Sequence, residues 1–186
     1  MGRLIYSLNT SLDGFVETPD HRLDWSVADD ELHDWFSERY ASISASLYGR
    51  RLYELMSAAW PFVQDDPDAT EAHREFGRHW LETPKIVFST TLESVDWNSR
   101  LVRGDVGEQL ARVREEFDGD LEVAGPNLAS QFIRRGLVDR FEVLIHPVIL
   151  GAGTPYLPPV DSPIRLRHTD THVFGSGVTV LGYDVE

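Results

Sequence analysis

Short segments rich in glycine, hydroxyl or arginine residues recur along this chain, and three of the four are junctions between a strand and a loop. The four segments stand in order: Gly49 to Glu54, Lys85 to Thr91, Val123 to Leu128, and Pro147 to Thr154. Strands that alternate with helices are typical of a mostly parallel sheet covered by helices. Backbone N–H groups at helix N-termini, hydroxyls and guanidinium groups all favour bound phosphate. The junctions therefore predict an α/β fold that binds a large, multiply phosphorylated ligand, for which a dinucleotide is the obvious candidate.

Hydrophobic periodicity predicts alternating strands and helices along the chain. The predicted strands are Leu4 to Leu8, Ala45 to Tyr48, Ile86 to Phe88, Arg100 to Val102, Leu121 to Ala124, Val138 to Leu150, Ile164 to Phe174 and Val178 to Val185. The predicted helices are one from about Asp29 to Ile43, Arg50 to Ala58, a polar helix ending near Leu81, Asp105 to Phe117, and Leu128 to Arg135. Pro147 indicates a bulge, an edge or a change of direction in its strand, and Gly175-Ser176-Gly177 predicts a hairpin turn. We expect one domain over residues 1–186, with a single mixed, mostly parallel sheet flanked by helices and a C-terminal antiparallel β-hairpin.

The composition narrows the class of ligand. A formal charge of −14 over 186 residues argues against general binding of nucleic acid or anionic membranes, because both require a positive field. Lys85 is the only lysine, so a phosphate site has to be a local arginine pocket. The absence of cysteine excludes disulfides, thiolate chemistry and cysteine-ligated zinc, and we predict no metal site. No segment approaches membrane-spanning length, so a cytoplasmic protein with a small-molecule partner is the expectation.

Several short motifs together resemble a known family. They are Ser11-Leu12-Asp13-Gly14-Phe15, Gly49-Arg50-Arg51-Leu52-Tyr53-Glu54, the strand ending Ser89-Thr90, Gly125 before a helix, Gly136-Leu137-Val138-Asp139, and Pro147 to Gly153. In this order they resemble the reductase domain of bacterial bifunctional deaminase-reductases of riboflavin synthesis. They also resemble the stand-alone proteins of that family, which share the dihydrofolate reductase fold. The resemblance spans nearly the whole chain, from Ile5 to Tyr183.

The resemblance implies an NADPH-dependent reductase that acts on a small pteridine-, pyrimidine- or carbonyl/imine-type substrate. By similarity, Gly49, Arg50 and Arg51 lie near the adenosine phosphates of NADPH. Ser89 and Thr90 lie beside the 2′-phosphate and the ribose. Such a site holds anions at several corners while dry apolar walls enclose the nicotinamide for hydride transfer.

The same resemblance implies the other half of the site. A helix N-terminus is placed against the pyrophosphate by Gly125, Pro126, Asn127 and Leu128. The nicotinamide pocket is bordered by Ile149, Leu150 and Gly151. Asp13 and Gly14 face the junction of cofactor and substrate, with Trp25 as a further substrate-binding residue and Asp13 as the catalytic candidate.

Two departures from the family pattern keep other functions open. Pro126 removes one N–H donor from the helix start, and Leu52 stands where the family has a threonine hydroxyl. Both favour an alternative, a nucleotide- or metabolite-binding protein that has the fold without the chemistry. A true dihydrofolate reductase is a third possibility, opposed by the Asp13-Gly14 signature; it requires an acid on the first helix, for which Asp29, Asp30 and Glu31 are alternative candidates. Asp13 has a structural alternative, because its side chain can cap its own turn.

The resemblance also implies a homodimer, since domains of the similar family pair through their sheets. Apolar C-terminal residues support this expectation, notably Phe174, Val178, Val180 and Leu181. The alternative is that these side chains cover only the internal core.

Overall fold

The computed structural model describes residues 2–26 and 29–186. The strands are β1 (Leu4–Ser11), β2 (Phe15–Glu17), β3 (Ile43–Gly49), β4 (Lys85–Phe88), β5 (Ser99–Val102), β6 (Asp120–Ala124), β7 (Arg140–His146), β8 (Thr154–Pro155), β9 (Leu166–Val173) and β10 (Thr179–Val185). The helices are α1 (Asp30–Ser42), α2 (Arg50–Ala59), the 3-10 helix Trp60–Asp65, α3 (Glu71–Glu82), α4 (Val106–Glu116) and α5 (Pro126–Ile133). Every predicted helix and strand is present.

Eight of the strands form one sheet in the order β5-β4-β3-β6-β1-β7-β10-β9. The pairs from β5 to β7 are all parallel, whereas β10 is antiparallel to both β7 and β9. The β9–β10 turn is closed by Gly177, whose φ of 85° suits glycine and whose N–H donates to the Phe174 carbonyl over 2.9 Å. The predicted mixed sheet with a C-terminal antiparallel hairpin is confirmed.

A second, two-stranded sheet joins β2 to β8 and was not predicted. Its strands have three and two residues, which is too short for a period-two pattern to be recognised. Phe15 pairs with Pro155, and the Tyr156 N–H donates to the Gly14 carbonyl over 2.9 Å. We call this pair of strands the β2–β8 ribbon.

The predicted strand from Val138 to Leu150 is too long, because β7 ends at His146. Pro147 follows directly and has no N–H to donate to a neighbouring strand. The chain beyond it turns away from the sheet, although the Val148 carbonyl still accepts the Leu12 N–H over 2.8 Å. The change of direction expected at Pro147 is therefore present, and residues 147–150 form a loop.

Short polar side chains begin the helices in the way the sequence indicates. The Asp29 carboxylate accepts the Leu32 N–H over 2.9 Å at the start of α1. The Asp105 carboxylate accepts the N–H groups of Gly107 and Glu108 at the start of α4. Each cap satisfies an N–H group that the helix itself leaves unpaired and contributes about 1 kcal/mol.

Both faces of the sheet are covered by helices. On one face, α4 and α5 pack on strand residues such as Tyr6 and Leu47, with Phe132 of α5 fully buried among them. On the other face, α1, α2 and α3 bury Tyr48 and Trp80, which are also inaccessible to solvent. Alternating strand residues thus serve opposite faces, which is why a strand of this sheet is apolar almost throughout.

The apolar residues at the C-terminus mostly belong to the interior. Phe174, Val178 and Val180 are at most 3% exposed and pack with Leu32 of α1 and Leu144 of β7. These three are therefore not available to a second copy of the chain, as the alternative explanation expects, whereas Leu181 is only partly buried. The homodimer itself stays a prediction.

Candidate functional site

The parallel sheet brings the polar junctions of the sequence to one edge. Strands β4, β3, β6, β1 and β7 all point the same way, so their carboxyl ends lie side by side. Neighbouring strands are spaced by about 4.8 Å, so β4 and β1 are about 14 Å apart. The edge is therefore a row of loops suited to an elongated ligand rather than to a compact one.

At one end of this row, an open cleft of 340 Å³ lies beyond β4 and β5. Three of the predicted cofactor-binding residues, Arg50, Ser89 and Thr90, line it together with Arg103 and Gln131. The cleft therefore has two guanidinium groups and several neutral donors, which is the chemistry of a phosphate site.

Arg103 was missed by the sequence interpretation. It follows the predicted strand Arg100 to Val102, so the same signal of a polar residue at a strand end was available. Its Nη2 donates to the Leu92 carbonyl over 2.6 Å, which holds the guanidinium beside the cleft. Ser89 is also fixed, because its hydroxyl accepts the Leu92 N–H over 3.0 Å. Arg50 is 50% exposed and has a long ion pair with Glu54, at 3.6 Å.

Arg51 is not a lining residue of this cleft. Its two terminal nitrogens donate to the Glu17 carboxylate over 3.1 and 2.7 Å. Glu17 also accepts the Thr154 hydroxyl over 2.5 Å and lies 2.9 Å from His21 Nδ1. Burial alone raises the pKa of Glu17, but the hydrogen bonds from Arg51, Thr154 and His21 lower the pKa to about 2. The two neighbouring arginines, predicted together, thus face different surroundings.

In the middle of the row, α2 and α5 begin directly after the adjacent strands β3 and β6. Gly125 precedes α5 with a φ of 95°, which a side chain would strain. Leu128 is buried and packs towards Gly49, so both helix starts lie close together. Pro126 occupies the first position of α5 and supplies no N–H, which leaves the amide of the exposed Asn127 as the first available donor.

Packing explains why position 52 holds a leucine, which the sequence alone did not show. A Cβ atom on Gly125 would lie 3.5 Å from the Leu52 Cβ, so the leucine covers the back of this glycine. The residue that replaces the family's threonine hydroxyl therefore supplies an apolar contact between α2 and the start of α5.

At the other end of the row, the Asp13 carboxylate holds the loop that follows β7. Its oxygens accept the Leu150 N–H over 3.1 Å, the Gly151 N–H over 2.7 Å and the Ser11 hydroxyl over 2.7 Å. These hydrogen bonds lower the pKa of Asp13, and the one from the Ser11 hydroxyl has the largest effect. The carboxyl group is therefore ionised at neutral pH. Gly14 continues the turn with a φ of 84°. Asp13 therefore links two predicted parts of the site, its own turn and the loop of Leu150 and Gly151, which are 137 residues apart in the sequence.

Two large apolar side chains stand exposed beside Asp13. Leu12 is 64% exposed and Ile149 is 70% exposed, on the neighbouring loops after β1 and β7. The two loops are joined by the hydrogen bond from the Leu12 N–H to the Val148 carbonyl, and we call this exposed pair, Leu12 and Ile149, the apolar lip. Leu150 and Gly151 are joined to Asp13 by hydrogen bonds, and the part of Ile149, Leu150 and Gly151 in a nicotinamide pocket stays a prediction.

Trp25 lies beside the carboxyl end of β7. Its ring meets the His146 ring edge-on at 5.4 Å, and its indole N–H is buried without a partner among the described residues. His146 is 1% exposed, with Nε2 2.9 Å from the Asn9 Oδ1, and burial lowers its pKa despite the attraction of Asp29. Asn9 and His146 were missed, because each stands within a strand pattern that gives no functional signal.

The three acids at the start of α1 each have a structural contact. Asp29 caps α1, Asp30 accepts the Thr70 hydroxyl over 2.8 Å, and Glu31 accepts the Gly175 N–H over 2.9 Å. Val27 and Ala28 lie outside the described residues. The structure therefore does not distinguish one of these acids as a free proton donor.

Two kinds of site are not found in the described ranges 2–26 and 29–186. No group of three or more histidine, aspartate or glutamate side chains is arranged to hold a metal ion there. None of the helices in this part of the chain has the length and apolar character needed to cross a membrane.

Comparison with known proteins agrees with this architecture. The family model of the RibD C-terminal domain matches residues 3–180. The uncharacterized protein YyaP of Bacillus subtilis is 31% identical over 182 residues, which cover 97% of this chain and 94% of YyaP. The chain therefore belongs to the RibD C-terminal domain family.

Solved structures share the fold at lower identity. A putative riboflavin biosynthesis protein from Shewanella sp. PV-4 has a TM-score of 0.74 at 20% identity, covering 100% of this chain and 99% of that one. Dihydrofolate reductase from Enterococcus faecalis, complexed with NADP(H), has a TM-score of 0.65 at 15% identity, covering 99% and 96%. The fold is thus that of the dihydrofolate-reductase-like proteins.

Proposed function

We propose that this member of the RibD C-terminal domain family is an NADPH-dependent reductase of a small pteridine-, pyrimidine- or carbonyl/imine-type substrate. The observation that carries the proposal is the row of sites along the sheet edge. A cleft with Arg50 and Arg103 stands at one end, two helix N-termini in the middle, and an apolar lip with Asp13 at the other. The order of these three sites along the row matches the order of the 2′-phosphate, the pyrophosphate and the nicotinamide in one extended cofactor.

The cleft favours NADPH over NADH. Arg50 and Arg103 both line it, and Ser89 and Thr90 add hydroxyls for the ribose side. A charge-assisted contact contributes about 1.5–3 kcal/mol, which corresponds to about a tenfold to hundredfold preference. The acidic surface of the molecule, with its formal charge of −14, makes this local pair of arginines the feature that attracts the phosphate.

The residues at the lip would hold and shield the reacting ring. NADPH supplies the hydride when bound, while Leu12 and Ile149 exclude water from the site. Asp13 keeps the loop of Leu150 and Gly151 in place through its two N–H contacts. Its lowered pKa leaves it without a proton to donate at neutral pH, so these contacts favour a positioning role. Its predicted catalytic role stays a prediction.

A second candidate function has an observation in its favour. Asp13 and the three acids that begin α1 all take part in structural contacts, and Pro126 lowers the number of donors at α5. These features favour a nucleotide-binding protein that has lost the chemistry. A true dihydrofolate reductase is a third candidate, for which dihydrofolate is the direct test substrate.

Titration of the protein with NADPH and NADH, followed by fluorescence, tests the cofactor assignment. We expect NADPH to bind at least about tenfold more tightly, and Arg50→Ala to remove most of that preference. Arg78→Ala is the matched control, because Arg78 is 45% exposed on α3 and contacts only Glu71 among the ion pairs of the described residues. Equal affinities for NADPH and NADH in the unmodified protein would contradict the assignment.

Replacing Asp13 separates catalysis from binding. If Asp13 acts on the substrate, Asp13→Asn lowers turnover by about a hundredfold to ten-thousandfold with unchanged NADPH affinity. If it only positions the loop, turnover falls slightly and NADPH binding weakens with it. Full activity of the variant would exclude the catalytic role.

The homodimer and the cytoplasmic location are further proposals. Strand β9 is the last strand of the sheet and most of its residues are exposed, including Val173 at 64%, so it offers a free edge for pairing. Light scattering that gives a mass near the 21.1 kDa of one chain at micromolar concentration would contradict the homodimer.

A further inference from the structure

Glu17 is the meeting point of three separate elements. Its carboxylate binds both terminal nitrogens of Arg51 in the first turn of α2, the hydroxyl of Thr154 in β8 and the ring of His21 in the loop after β2. The Glu17 side chain is only 9% exposed, whereas that of Arg51 is 45% exposed. The Arg51 contact joins the β2–β8 ribbon to α2, the Thr154 contact joins its two strands, and the His21 contact joins β2 to the loop that follows it.

The backbone at this point is as closely packed as the side chain. A Cβ atom on Gly153 would lie 1.9 Å from the Glu17 carbonyl oxygen, so only glycine fits beside Glu17. The ribbon is otherwise short, with two Cα partner pairs between β2 and β8. A ribbon of this length has little stability of its own, so the hydrogen bonds of the Glu17 carboxylate contribute a large part of the stability that holds it in place.

From this arrangement we propose that Glu17 withdraws Arg51 from phosphate recognition and makes it a positioning residue, which fastens the β2–β8 ribbon beside the N-terminus of α2. The inference deepens the proposed function and rests on it in one respect: discrimination of the 2′-phosphate falls to Arg50 and Arg103. Asp13 and Gly14 lie directly before β2, and Gly151 lies shortly before β8. The Glu17–Arg51 contact therefore also sets the place of the apolar lip.

The opposite arrangement, in which Arg51 leaves Glu17 to bind a phosphate, is disfavoured by the contacts. It would break a two-nitrogen contact and leave a buried carboxylate with only Thr154 and His21. Arg50, by contrast, has one ion-pair partner within the described part of the chain, Glu54 at 3.6 Å, and already lines the cleft. To bind a ligand, Arg51 would have to break a two-nitrogen contact with Glu17, whereas Arg50 would break only its long ion pair with Glu54.

Nucleotide binding tests the division between the two arginines. The probes are 2′,5′-ADP, which carries the 2′-phosphate, and 5′-ADP, which does not. We expect Arg50→Ala to lower the preference for 2′,5′-ADP by about tenfold or more, and Arg51→Ala to change it by less than about twofold. An equal loss of preference in both variants would overturn the proposal. So would Glu17→Gln binding 2′,5′-ADP about tenfold more tightly, because that result would mean that a released Arg51 binds the phosphate.

Hydrogen exchange of the amides of residues 15–17, Thr154 and Tyr156 tests the fastening without any cofactor. Glu17→Gln and Arg51→Ala should each accelerate exchange by about tenfold, and the double variant should add little, since both remove the same contact. Arg50→Ala is the matched control and should leave this exchange unchanged. Unchanged exchange in Arg51→Ala would overturn the proposal.

The two measurements also separate this inference from the proposed function. If the unmodified protein binds neither nucleotide, the cofactor assignment fails, while exchange still decides whether Glu17 and Arg51 fasten the ribbon. The Arg51→Lys variant is a control for the possibility that Arg51→Ala destabilises the whole fold. It keeps the charge but not the two-nitrogen geometry, so we expect exchange intermediate between the unmodified protein and Arg51→Ala.

Discussion

Glu17 and Glu122 are both buried glutamates next to an arginine, yet their surroundings act on them in opposite directions. Counted over the whole residue, backbone included, they are 7% and 4% exposed. Glu17 accepts hydrogen bonds from Arg51, Thr154 and His21, and its pKa falls to about 2 in spite of burial. Glu122 lies in β6 under α1, and burial raises its pKa to about 7.

The difference lies in the number of donors. Oε2 of Glu122 has no hydrogen-bond partner among the described residues, and Nη2 of Arg39, its ion-pair partner, is 3.6 Å from the other oxygen, Oε1. Arg39 is shared, because its Nε binds Glu142, and the negative charge of Glu142 raises the pKa of Glu122 further. Glu17, in contrast, lies where three elements direct donors at one carboxylate. Burial therefore does not decide the charge of a carboxylate; the hydrogen bonds that replace water do.

The largest expected effect comes from removing Arg39, whose side chain is 8% exposed. Arg39→Met leaves Glu122 without its cation and Glu142 with Arg140 as its remaining one. The free energy of unfolding should fall by about 3–5 kcal/mol, because a broken buried ion pair leaves an uncompensated charge. Urea denaturation at pH 7.5 measures it.

A second variant tests the reason for that loss. Adding Glu122→Gln to Arg39→Met removes the uncompensated charge and should recover part of the stability. Arg78→Met is the control on the surface, where the ion pair with Glu71 contributes less than about 1 kcal/mol. A loss as small in Arg39→Met as in Arg78→Met would show that the buried cluster does not need its cation.

The next effect is on the pH dependence of stability. The pKa of Glu122 is about 7 in the folded protein and 4.5 ordinarily, so the folded state binds more protons between these values. The free energy of unfolding therefore falls as pH rises through that window, by up to about 3 kcal/mol at about 1.4 kcal/mol per pH unit. Glu122→Gln lacks this contribution, so its stability relative to the unmodified protein should rise from pH 4.5 to pH 7.

Glu17→Gln should have the opposite slope. The pKa of Glu17 is lowered from 4.5 to about 2, so its stabilising contribution is complete above pH 4.5 and is lost as pH falls towards 2. The variant should thus be less stable at neutral pH, and the gap should narrow in acid. Slopes of the same sign for the two variants would refute the contrast.

Lys85 gives the smallest effect and extends the comparison to a buried cation. It is 1% exposed, its Nζ donates to the carbonyls of Trp80 and Thr83 over 2.5 and 2.8 Å, and burial lowers its pKa to about 8. Lys85→Met should cost about 1 kcal/mol at pH 7, because two carbonyls at the end of α3 lose a donor.

The pH trend of the Lys85→Met variant has a definite sign. The unfolded chain binds the lysine proton up to pH 10.5 and the folded protein only to about 8, so the unmodified protein gains stability as pH rises between them. The difference from Lys85→Met should therefore widen in that range. A difference that narrows would mean that the ammonium form is the favoured one in the folded state.

Local patterns explain how much of the architecture the sequence could predict. The sequence pattern located the five α-helices and the eight strands of the large sheet, because each buries a face at its own spacing, but it did not predict the 3-10 helix Trp60–Asp65. The junctions after β3, β4 and β6 were recognised from their glycine, arginine and hydroxyl residues. Arg103 carried the same signal after β5 and was overlooked.

Contacts between distant residues were beyond the sequence. Glu17 and Arg51 are 34 residues apart, and Asp13 and Leu150 are 137 apart, so no local pattern joins them. The β2–β8 ribbon that aligns Glu17 with Arg51 is too short to have a period. A single sequence therefore could not tell Arg51 from Arg50.

The chain by itself determined which segments are strands and helices, and that several strand ends could meet an anion. Its local periodicity and capping residues suffice for that, since both act within a few residues. Only the tertiary structure decided which carboxylate each arginine meets. A glutamate within a strand, such as Glu122 or Glu142, ordinarily faces water. The position of α1, set by packing over the whole sheet, is what removes that water and changes the charge.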